Sequence, residues 1–350
     1  MIRYRLAAYD DNQQLIELTS SSGMEGEISL RIDRKPDFFK LLEMRGKSYV
    51  FVALDEDVIV GSICVSQQDV YVNGQITPLQ YFADFKIAAA YRNGTIGFRL
   101  CRELENHVLS IGADLAFANF SKGNLKPFRF LHNRQNTPDF ENIGTFYIHQ
   151  FIGRKRKSHN LEFEIIEGKV SEDLIRFLNE YYCNYELGSV ITREKLLDTS
   201  IYTIQIENKI IAAMVLQDTM TAKQNVVTNV TWKMNFLLKT MTMVNSMLGL
   251  SKLPVINEPI RMIYIKYLAS HKNNSKMIRF MINHARNIAF EESYSFVSMG
   301  MHEKDPLNTC IKGIFRLTFS SVGMVLSLKD NKHQIEKIKH GIPFADYSLV

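Results

Sequence analysis

The feature that most constrains this chain is an arrangement of predicted elements that occurs twice, about 180 residues apart. In each copy an apolar, β-branched run is followed by a helix with a regular apolar stripe and then by a second apolar run. The runs are residues 79–89, 96–111 and 114–120 in the first copy, and 263–269, 277–290 and 294–301 in the second. Self-similarity on this scale predicts two copies of one fold.

The rest of the first copy adds strands on both sides of this unit. Alternation predicts a strand at 2–8, helices at 12–18 and 35–43, and strands at 48–54 and 58–66 that the acidic turn 55–57 joins as a hairpin. With 79–89 they form an antiparallel meander, and a short helix at 125–132 and a last strand at 145–151 follow. This order predicts an α+β or mixed α/β fold, a central and mostly antiparallel sheet flanked by helices, and excludes a doubly wound sheet.

The second copy repeats the plan with additions. We predict an opening strand at 161–166, a helix at 171–183 and a hairpin of strands 201–206 and 210–216. The methionine-rich segment 232–250 has helical periodicity and no counterpart in the first copy. We place the two domains at 1–153 and 160–350.

Composition excludes several classes of protein. With 350 residues, 46% of them hydrophobic, and only 8 Pro and 18 Gly, the chain is neither disordered nor collagen-like. The four cysteines lie far apart without a C-x-x-C pair, so we expect reduced thiols and no metal site. The longest apolar run, 210–216, is too short to span a bilayer, so we expect no membrane partner and a cytoplasmic location. For the basic run 154–157 we expect a solvated linker, not a nucleic-acid site.

The most informative motif is the loop Ala90-Tyr91-Arg92-Asn93-Gly94-Thr95-Ile96-Gly97, which leaves a strand and opens the long helix. A turn at a helix N-terminus presents unpaired backbone N–H groups at the positive end of the helix dipole, which suits a pyrophosphate. The alternative is a tight connection whose glycines only provide positive φ angles.

This strand, loop and helix resemble motif A of the GNAT superfamily of acyl-CoA-dependent N-acyltransferases, whose pattern is Gln/Arg-x-x-Gly-x-Gly/Ala. Arg92 and Gly97 fit the pattern. Thr95 replaces its first glycine, and Gly94 lies one position earlier. The order of elements from residue 2 to 151 also resembles a complete GNAT domain. The resemblance therefore implies two tandem acyl-CoA N-acyltransferase-like domains.

The resemblance implies acetyl-CoA as the acyl donor and assigns residues to it. Backbone amides of the loop would hold the pyrophosphate, and the strands on either side of the helix would contact the cofactor arm. The expected cofactor residues are Ile87, Ala89, Arg92, Asn93, Gly94, Thr95, Ile96, Gly97, Asn119 and Asn124. The alternative for Asn124 is an ordinary helix N-cap. The aligned loop of the second copy, 271–277, has no glycine, so we expect a degenerate copy that does not bind CoA.

Two residues are candidates for the proton transfers. Many GNAT enzymes protonate the leaving thiolate with a Tyr where this chain has Phe130, Leu131 and His132, and His132 is our candidate acid; the alternative is a surface histidine. Asp84, on the strand before the loop, is our candidate base. The alternative for Asp84 is a solvated pair with Lys86 on the same strand face.

The sequence thus predicts an N-acetyltransferase that transfers an acetyl group from acetyl-CoA to a primary amine of a small-molecule or peptide acceptor by direct attack. One alternative is a non-catalytic acyl-CoA-binding or scaffold protein. Another, suggested by the duplication and the basic linker, is an aminoacyl-transferring tandem relative that uses charged tRNA. The sequence predicts neither the acceptor nor the oligomeric state.

Overall fold

The computed structural model describes residues 1–21, 23, 28–122, 140–155, 162–232, 236, 240, 249–329 and 332–350. The helices in this part are α1 (Asn12–Ser20), α2 (Lys40–Arg45), α3 (Ile96–Ser110), α4 (Glu172–Tyr182), α5 (Ser275–Glu291), α6 (Leu307–Cys310) and α7 (Lys332–His340). The strands are β1 (Ile2–Leu6), β2 (Ile28–Asp33), β3 (Lys47–Asp55), β4 (Val58–Val72), β5 (Gln75–Ile87), β6 (Leu115–Ser121), β7 (Glu141–Ile152), β8 (Ile166–Gly168), β9 (Gly188–Ser189), β10 (Ser200–Ile206), β11 (Lys209–Asp218), β12 (Gln224–Val230), β13 (Met262–Ser270), β14 (Phe296–His302) and β15 (Leu317–Ser327).

A single large sheet runs through the molecule. Its strand order is β1-β3-β4-β5-β6-β15-β7-β14-β13-β11-β10-β8, with β9 paired to the far end of β4. Neighbouring strands are antiparallel except for two parallel pairs, β5 with β6 and β13 with β14. The remaining strands, β2 and β12, form a separate two-stranded ribbon that joins the two halves of the chain. The expected mixed fold with a mostly antiparallel sheet is confirmed.

The strand order has a pseudo-twofold symmetry about the β15/β7 pair, which confirms two tandem copies. Along the main path of the sheet each strand of one half has a counterpart in the other, and α3 and α5 follow the equivalent strands β5 and β13. The last strand of each copy is exchanged. β15 lies between β6 and β7, and β7 lies between β15 and β14.

Helix α3 covers the first half of the sheet through the stripe that the sequence predicts. Its residues Ile96, Leu100, Leu104 and Val108 are buried, but Ile111, the expected fifth member, is 46% exposed because the helix ends at Ser110. Gly61 on β4 lets the first turns of α3 approach the sheet. A Cβ there would lie 2.9 Å from both Ile87 Cδ1 and Leu100 Cδ1.

Several elements differ from the predictions. The helix expected at 35–43 is α2, which starts only at Lys40. The hairpin of β4 and β5 is longer than expected and turns at Asn73 and Gly74. The ribbon strands β2 and β12 and the exchanged strand β15 were not predicted, because each pairs with a segment far away in the chain. The segment 232–250 lies mostly outside the described residues.

Candidate functional site

The candidate site begins where two parallel strands of the first copy separate. β5 and β6 pair only from Leu79 with Leu115 to Phe82 with Ala118. β5 then continues to Ile87, while β6 pairs on its other edge with β15 as far as Ser121. Beyond Phe82, β5 and β6 no longer pair, and the backbone groups of β5 that face β6 have no strand partner among the described residues, so we call the space between the two strands a wedge.

Aromatic side chains close the narrow end of this wedge. Tyr81 stacks on Phe117 with ring centroids 6.0 Å apart, and Phe117 meets Phe146 at 6.3 Å. Tyr347 packs against Phe146 at 5.9 Å. All four rings are buried. The end of the wedge is therefore filled by side chains of the protein itself.

A bulge on β5 sets the position of Asp84. Ala83 pairs with Cys64 and Lys86 pairs with Ser62, so Asp84 and Phe85 oppose a single residue of β4. Asp84 has a φ of 51°. The bulge interrupts the alternation that the sequence analysis assumed, and the Asp84 side chain is only 13% exposed. The alternative of a solvated Asp84–Lys86 pair is therefore wrong.

Asp84 instead pairs with two buried arginines. Arg45 Nη1 donates to its Oδ2 at 2.8 Å, and Arg34 Nη1 lies 3.3 Å from the same oxygen. Both arginine side chains are 1% exposed. Burial alone would raise the pKa of Asp84, but the charges of Arg34 and Arg45 outweigh this and hold the pKa well below its usual range. A carboxylate with a lowered pKa is a weak base, which weighs against the predicted role of Asp84 without testing it.

The loop that follows β5 presents backbone donors to solvent. Residues 92–95 are exposed, and Thr95, the N-cap of α3, makes no capping hydrogen bond with its side chain. Within the described residues, the backbone N–H groups of Asn93 and Thr95 find no main-chain acceptor. Free amides at the start of a 15-residue helix form the arrangement that the sequence analysis predicts for a pyrophosphate.

The glycines of this loop are not explained by backbone conformation. Neither Gly94 nor Gly97 has a positive φ, so the alternative that they only serve left-handed turns is wrong. A Cβ added at Gly94 would make only an ordinary contact, 3.5 Å from the carbonyl oxygen of Tyr91. Neither dihedral angle nor packing requires glycine at 94. A close approach by a ligand is a physical reason that remains.

The other predicted cofactor residues surround the same wedge or lie outside the described residues. Ile87 ends β5 and packs toward α3, and Ala89 is exposed in the short turn that follows. Asn119 lies on β6 just beyond the last β5 pair; its Oδ1 accepts from Tyr347 Oη at 3.4 Å. Asn124 and His132 fall outside the described residues, so their roles stay predictions.

The equivalent wedge of the second copy is occupied by the chain itself. β13 and β14 pair only from Met262 to Tyr264, but the segment 341–350 enters the gap beyond them. Phe344 packs on Tyr182 with ring centroids 4.8 Å apart, and its N–H donates to Glu186 O. Gly300 on β14 accommodates Tyr347, whose ring would lie 2.0 Å from a Cβ at position 300.

The helix N-terminus of the second copy is also satisfied internally. The Asn274 side chain accepts hydrogen bonds from the backbone N–H groups of Lys276 at 3.0 Å and Met277 at 3.3 Å. In the first copy, the side chain of the N-cap Thr95 makes no such hydrogen bond. Both the loop and the wedge of the second copy are therefore filled by protein groups, in line with the expected degenerate copy.

The sequence analysis did not find the buried basic groups beside Asp84. Arg34 follows β2, Arg45 ends α2, and Lys223 lies before β12. Lys223 donates to Val350 O at 2.5 Å, and Arg45 Nε donates to Leu349 O at 2.7 Å, so the segment 341–350 links both copies at this point. No local pattern marks these residues, because the partners that bring Arg34 and Arg45 to Asp84 and Leu349 are 39 to 304 positions away in the chain.

No three His, Cys, Asp or Glu side chains of the described residues come together in a way that could hold a metal ion. None of the helices in the described ranges has the length and apolar character needed to cross a bilayer.

No protein-family description matches this sequence, and no curated protein is similar to it in sequence. Solved structures are similar in fold. N-myristoyltransferase of Saccharomyces cerevisiae with bound myristoyl-CoA matches 93% of this chain and 82% of its own, with a TM-score of 0.61 and 10% identity. A GCN5-related N-acetyltransferase of Anabaena variabilis matches 94% of this chain and 73% of its own, with a TM-score of 0.54 and 10% identity.

A third structure, a probable N-acyltransferase of Enterococcus faecalis, matches 94% of this chain and 73% of its own, with a TM-score of 0.54 and 8% identity. The three similarities extend over both copies. At such low identity they establish the fold and not the reaction. This chain has the fold of these acyltransferase structures, in two tandem copies.

Proposed function

We propose that this protein is an acyl-CoA-dependent N-acyltransferase that transfers an acetyl group from acetyl-CoA to a primary amine. One observation carries the proposal: among the described residues, only the first of the two equivalent wedges combines strands that stop pairing, β5 and β6 beyond Phe82, with a helix N-terminus that no side chain caps. The pantetheine arm of CoA would lie in that gap and its pyrophosphate on the loop from Arg92 to Gly97. Neighbours in fold that carry acyl-CoA support this class of donor.

The closed end of the wedge favours a short acyl group. The rings of Tyr81, Phe117, Phe146 and Tyr347 fill the space into which a long acyl chain would extend between β5 and β6. An acetyl group needs no channel beyond them. The filled end of the wedge therefore favours acetyl-CoA over donors with a long acyl chain.

The proposed reaction is direct attack. The neutral amine nitrogen forms a bond to the thioester carbonyl carbon, and the carbonyl π electrons move to oxygen. Free N–H groups of β5 beyond Phe82 would hold that oxyanion. Collapse of the intermediate breaks the C–S bond, the amine proton passes to a base, and the CoA thiolate leaves and takes up a proton. Asp84 and His132 stay the sequence-predicted base and acid.

The environment of Cys64 supports direct attack over an acyl-cysteine intermediate. This thiol lies beside Asp84 and is fully buried. Burial, reinforced by the negative charge of Asp84, raises the pKa of the Cys64 thiol. A thiol that stays protonated at neutral pH is a poor nucleophile, so the acceptor amine itself attacks the thioester.

A matched pair of substitutions tests the cofactor site. Gly94→Asp adds a carboxylate to the first loop, where the structure leaves room for a Cβ, and Asn274→Asp adds one at the equivalent position of the second copy. We expect calorimetry to show one CoA site per chain, weakened about tenfold or more by Gly94→Asp through charge repulsion and lost hydrogen bonds. Asn274→Asp should not change the affinity. Equal effects of the two substitutions, or two equivalent CoA sites, would contradict the proposal.

Turnover separates the enzyme from a non-catalytic acyl-CoA-binding protein. Both would bind CoA at the first loop, but only the enzyme releases free thiol from acetyl-CoA at a rate that depends on added amine. A thiol-reactive dye measures this release. Amine-independent release at the background rate, with CoA binding intact, would favour the binding protein.

A further inference from the structure

The wedge of the second copy holds a small pocket beside the segment 341–350. The pocket measures about 350 Å³ including its opening to solvent, and its interior admits a group about the size of a water molecule. Four aromatic rings line it, those of Tyr182, Tyr185, Phe344 and Tyr347. Its polar lining comes from Asp305 and Lys266.

Asp305 brings a buried carboxylate to this pocket. The residue is 7% exposed. Its Oδ1 accepts a hydrogen bond from Leu307 N at 2.8 Å and one from Tyr185 Oη at 3.4 Å. Among the described residues, Oδ2 has neither a hydrogen-bond donor nor a cation within bonding distance. One carboxylate oxygen is thus left for a ligand.

The ammonium group of Lys266 interacts with groups other than Asp305. Its Nζ donates to Gln217 Oε1 at 2.7 Å and lies 3.9 Å from Asp346 Oδ2. Its ammonium therefore does not neutralise Asp305. A negative group surrounded by aromatic faces is the chemistry that recognises an organic cation, since ring faces attract positive charge and the carboxylate supplies an ion pair.

We propose that this pocket binds the ammonium group of a diamine-type acceptor, an alkylamine that carries a second, non-reacting ammonium. A terminal ammonium is about as large as water, so it fits the interior, while the attached chain leaves through the opening. The four rings and the free oxygen of Asp305 would hold the ammonium.

Tyr347 connects this pocket to the first wedge. Its ring lines the pocket, and its hydroxyl donates to Asn119 Oδ1 on β6 and lies 2.5 Å from Ser321 Oγ on β15. The pocket is therefore about one tyrosine side chain away from the proposed acyl-CoA site. As the acceptor's anchor, the pocket rests on the proposed function: the second amine of the bound diamine, outside the pocket, would be the one that is acylated.

The titration of Asp305 gives the binding a pH dependence. Burial raises the pKa of Asp305 to about 6. The titratable groups around it are Tyr181, Tyr182 and Tyr185 from the region of α4, Lys266 on β13 and Tyr347. Only the ionised carboxylate attracts a cation, so affinity should be constant above pH 7 and fall toward tenfold per pH unit below about 6.

Calorimetry on the full chain without acyl-CoA tests the pocket independently of any reaction. The probe is 1,4-diaminobutane, and 1,4-butanediol is the neutral control of the same length. We expect the diamine to bind and the diol not to bind. Asp305→Asn keeps an oxygen for Leu307 N and Tyr185 while it removes the charge, and should weaken diamine binding about tenfold or more. Glu303→Gln, an exposed neighbour on the same loop, is the control and should leave the affinity unchanged.

Three results would overturn the inference. They are the absence of diamine binding to the unsubstituted chain at pH 7.5, equal affinity of the Asp305→Asn variant, and affinity that does not fall between pH 7 and pH 5. Should Asp305→Asn fail to fold, the pH series and the diol control still decide the question on the unsubstituted chain. Diamine binding without amine-dependent thiol release would uphold the pocket and contradict the proposed enzyme.

Discussion

At the scale of single residues, Asp84 offers the sharpest test, because its charge is shared by two buried guanidinium groups. Replacing it with Asn leaves Arg34 and Arg45 without a counter-charge, which should lower the free energy of unfolding by about 3–5 kcal/mol. Denaturant unfolding at pH 7 measures this. Asp57→Asn is the control: the ion pair of Asp57 with Arg3 is exposed, so its loss should lower the free energy of unfolding by less than about 1 kcal/mol.

The Asp84→Asn substitution also distinguishes a structural role of Asp84, as the ion-pair partner of Arg34 and Arg45, from a role as the base. Because the pKa of Asp84 is lowered in the folded state, its contribution to stability is present above the unfolded pKa and is lost as pH falls below it. The stability of the Asp84→Asn variant should therefore depend less on pH in the acid range. A variant that keeps full stability, but loses amine-dependent turnover and the acid limb of its pH–rate profile, would show that Asp84 is a base after all.

Sequence reasoning found residues whose role is local and missed those whose role depends on tertiary contacts. The loop at 92–97 follows from a strand, a turn and a helix that are adjacent in the chain. The surroundings of Asp84 depend on a bulge and on Arg34 and Arg45, which β2 and α2 bring from 39 to 50 positions away. Alternation counted without the bulge put Asp84 in solvent.

At the scale of elements, the N-termini of α3 and α5 are equivalent in position and differ in capping. Asn274 satisfies two backbone donors of α5, whereas the Thr95 side chain satisfies none in α3. Asn274→Ala should therefore lower the free energy of unfolding by about 1 kcal/mol, and Thr95→Ala should lower it by only about a few tenths of a kcal/mol. Thermal unfolding of both variants without ligand measures the difference. Equal losses would mean that Thr95 caps α3, and would remove the argument for free donors in the first loop.

The sequence predicted those elements whose apolar spacing stays regular over many residues. The stripe on α3 and the meander from β3 to β5 follow directly from apolar spacing. The ribbon of β2 and β12 could not be predicted from the sequence, because its two strands are almost 200 residues apart and neither has a local partner. Strand β15 was missed for a related reason: its pairing with β6 requires the sheet of the other copy.

At the scale of the whole molecule, the exchange of β7 and β15 makes the two copies interdependent. The sequence predicted a boundary between the two domains at 153–160, and this boundary stays a prediction. In space, the edge of β6 is covered by β15, a strand from the second copy, and β7 pairs with β14. A chain ending at Ile152 would expose one edge of β6 and both edges of β7, and exposed edges promote aggregation.

The copies should therefore fold together or not at all. A 1–152 fragment should aggregate or lack fixed tertiary structure, as size-exclusion chromatography and near-ultraviolet circular dichroism would show. The matched experiment divides the chain without removing any strand: 1–157 and 158–350, produced together, should co-purify as one complex that binds CoA, because both exchanged strands are present. A 1–152 fragment that is monomeric, folded and able to bind CoA would contradict this dependence. Removing the second copy would then leave the first copy folded, and the acceptor site would not need residues of the second copy.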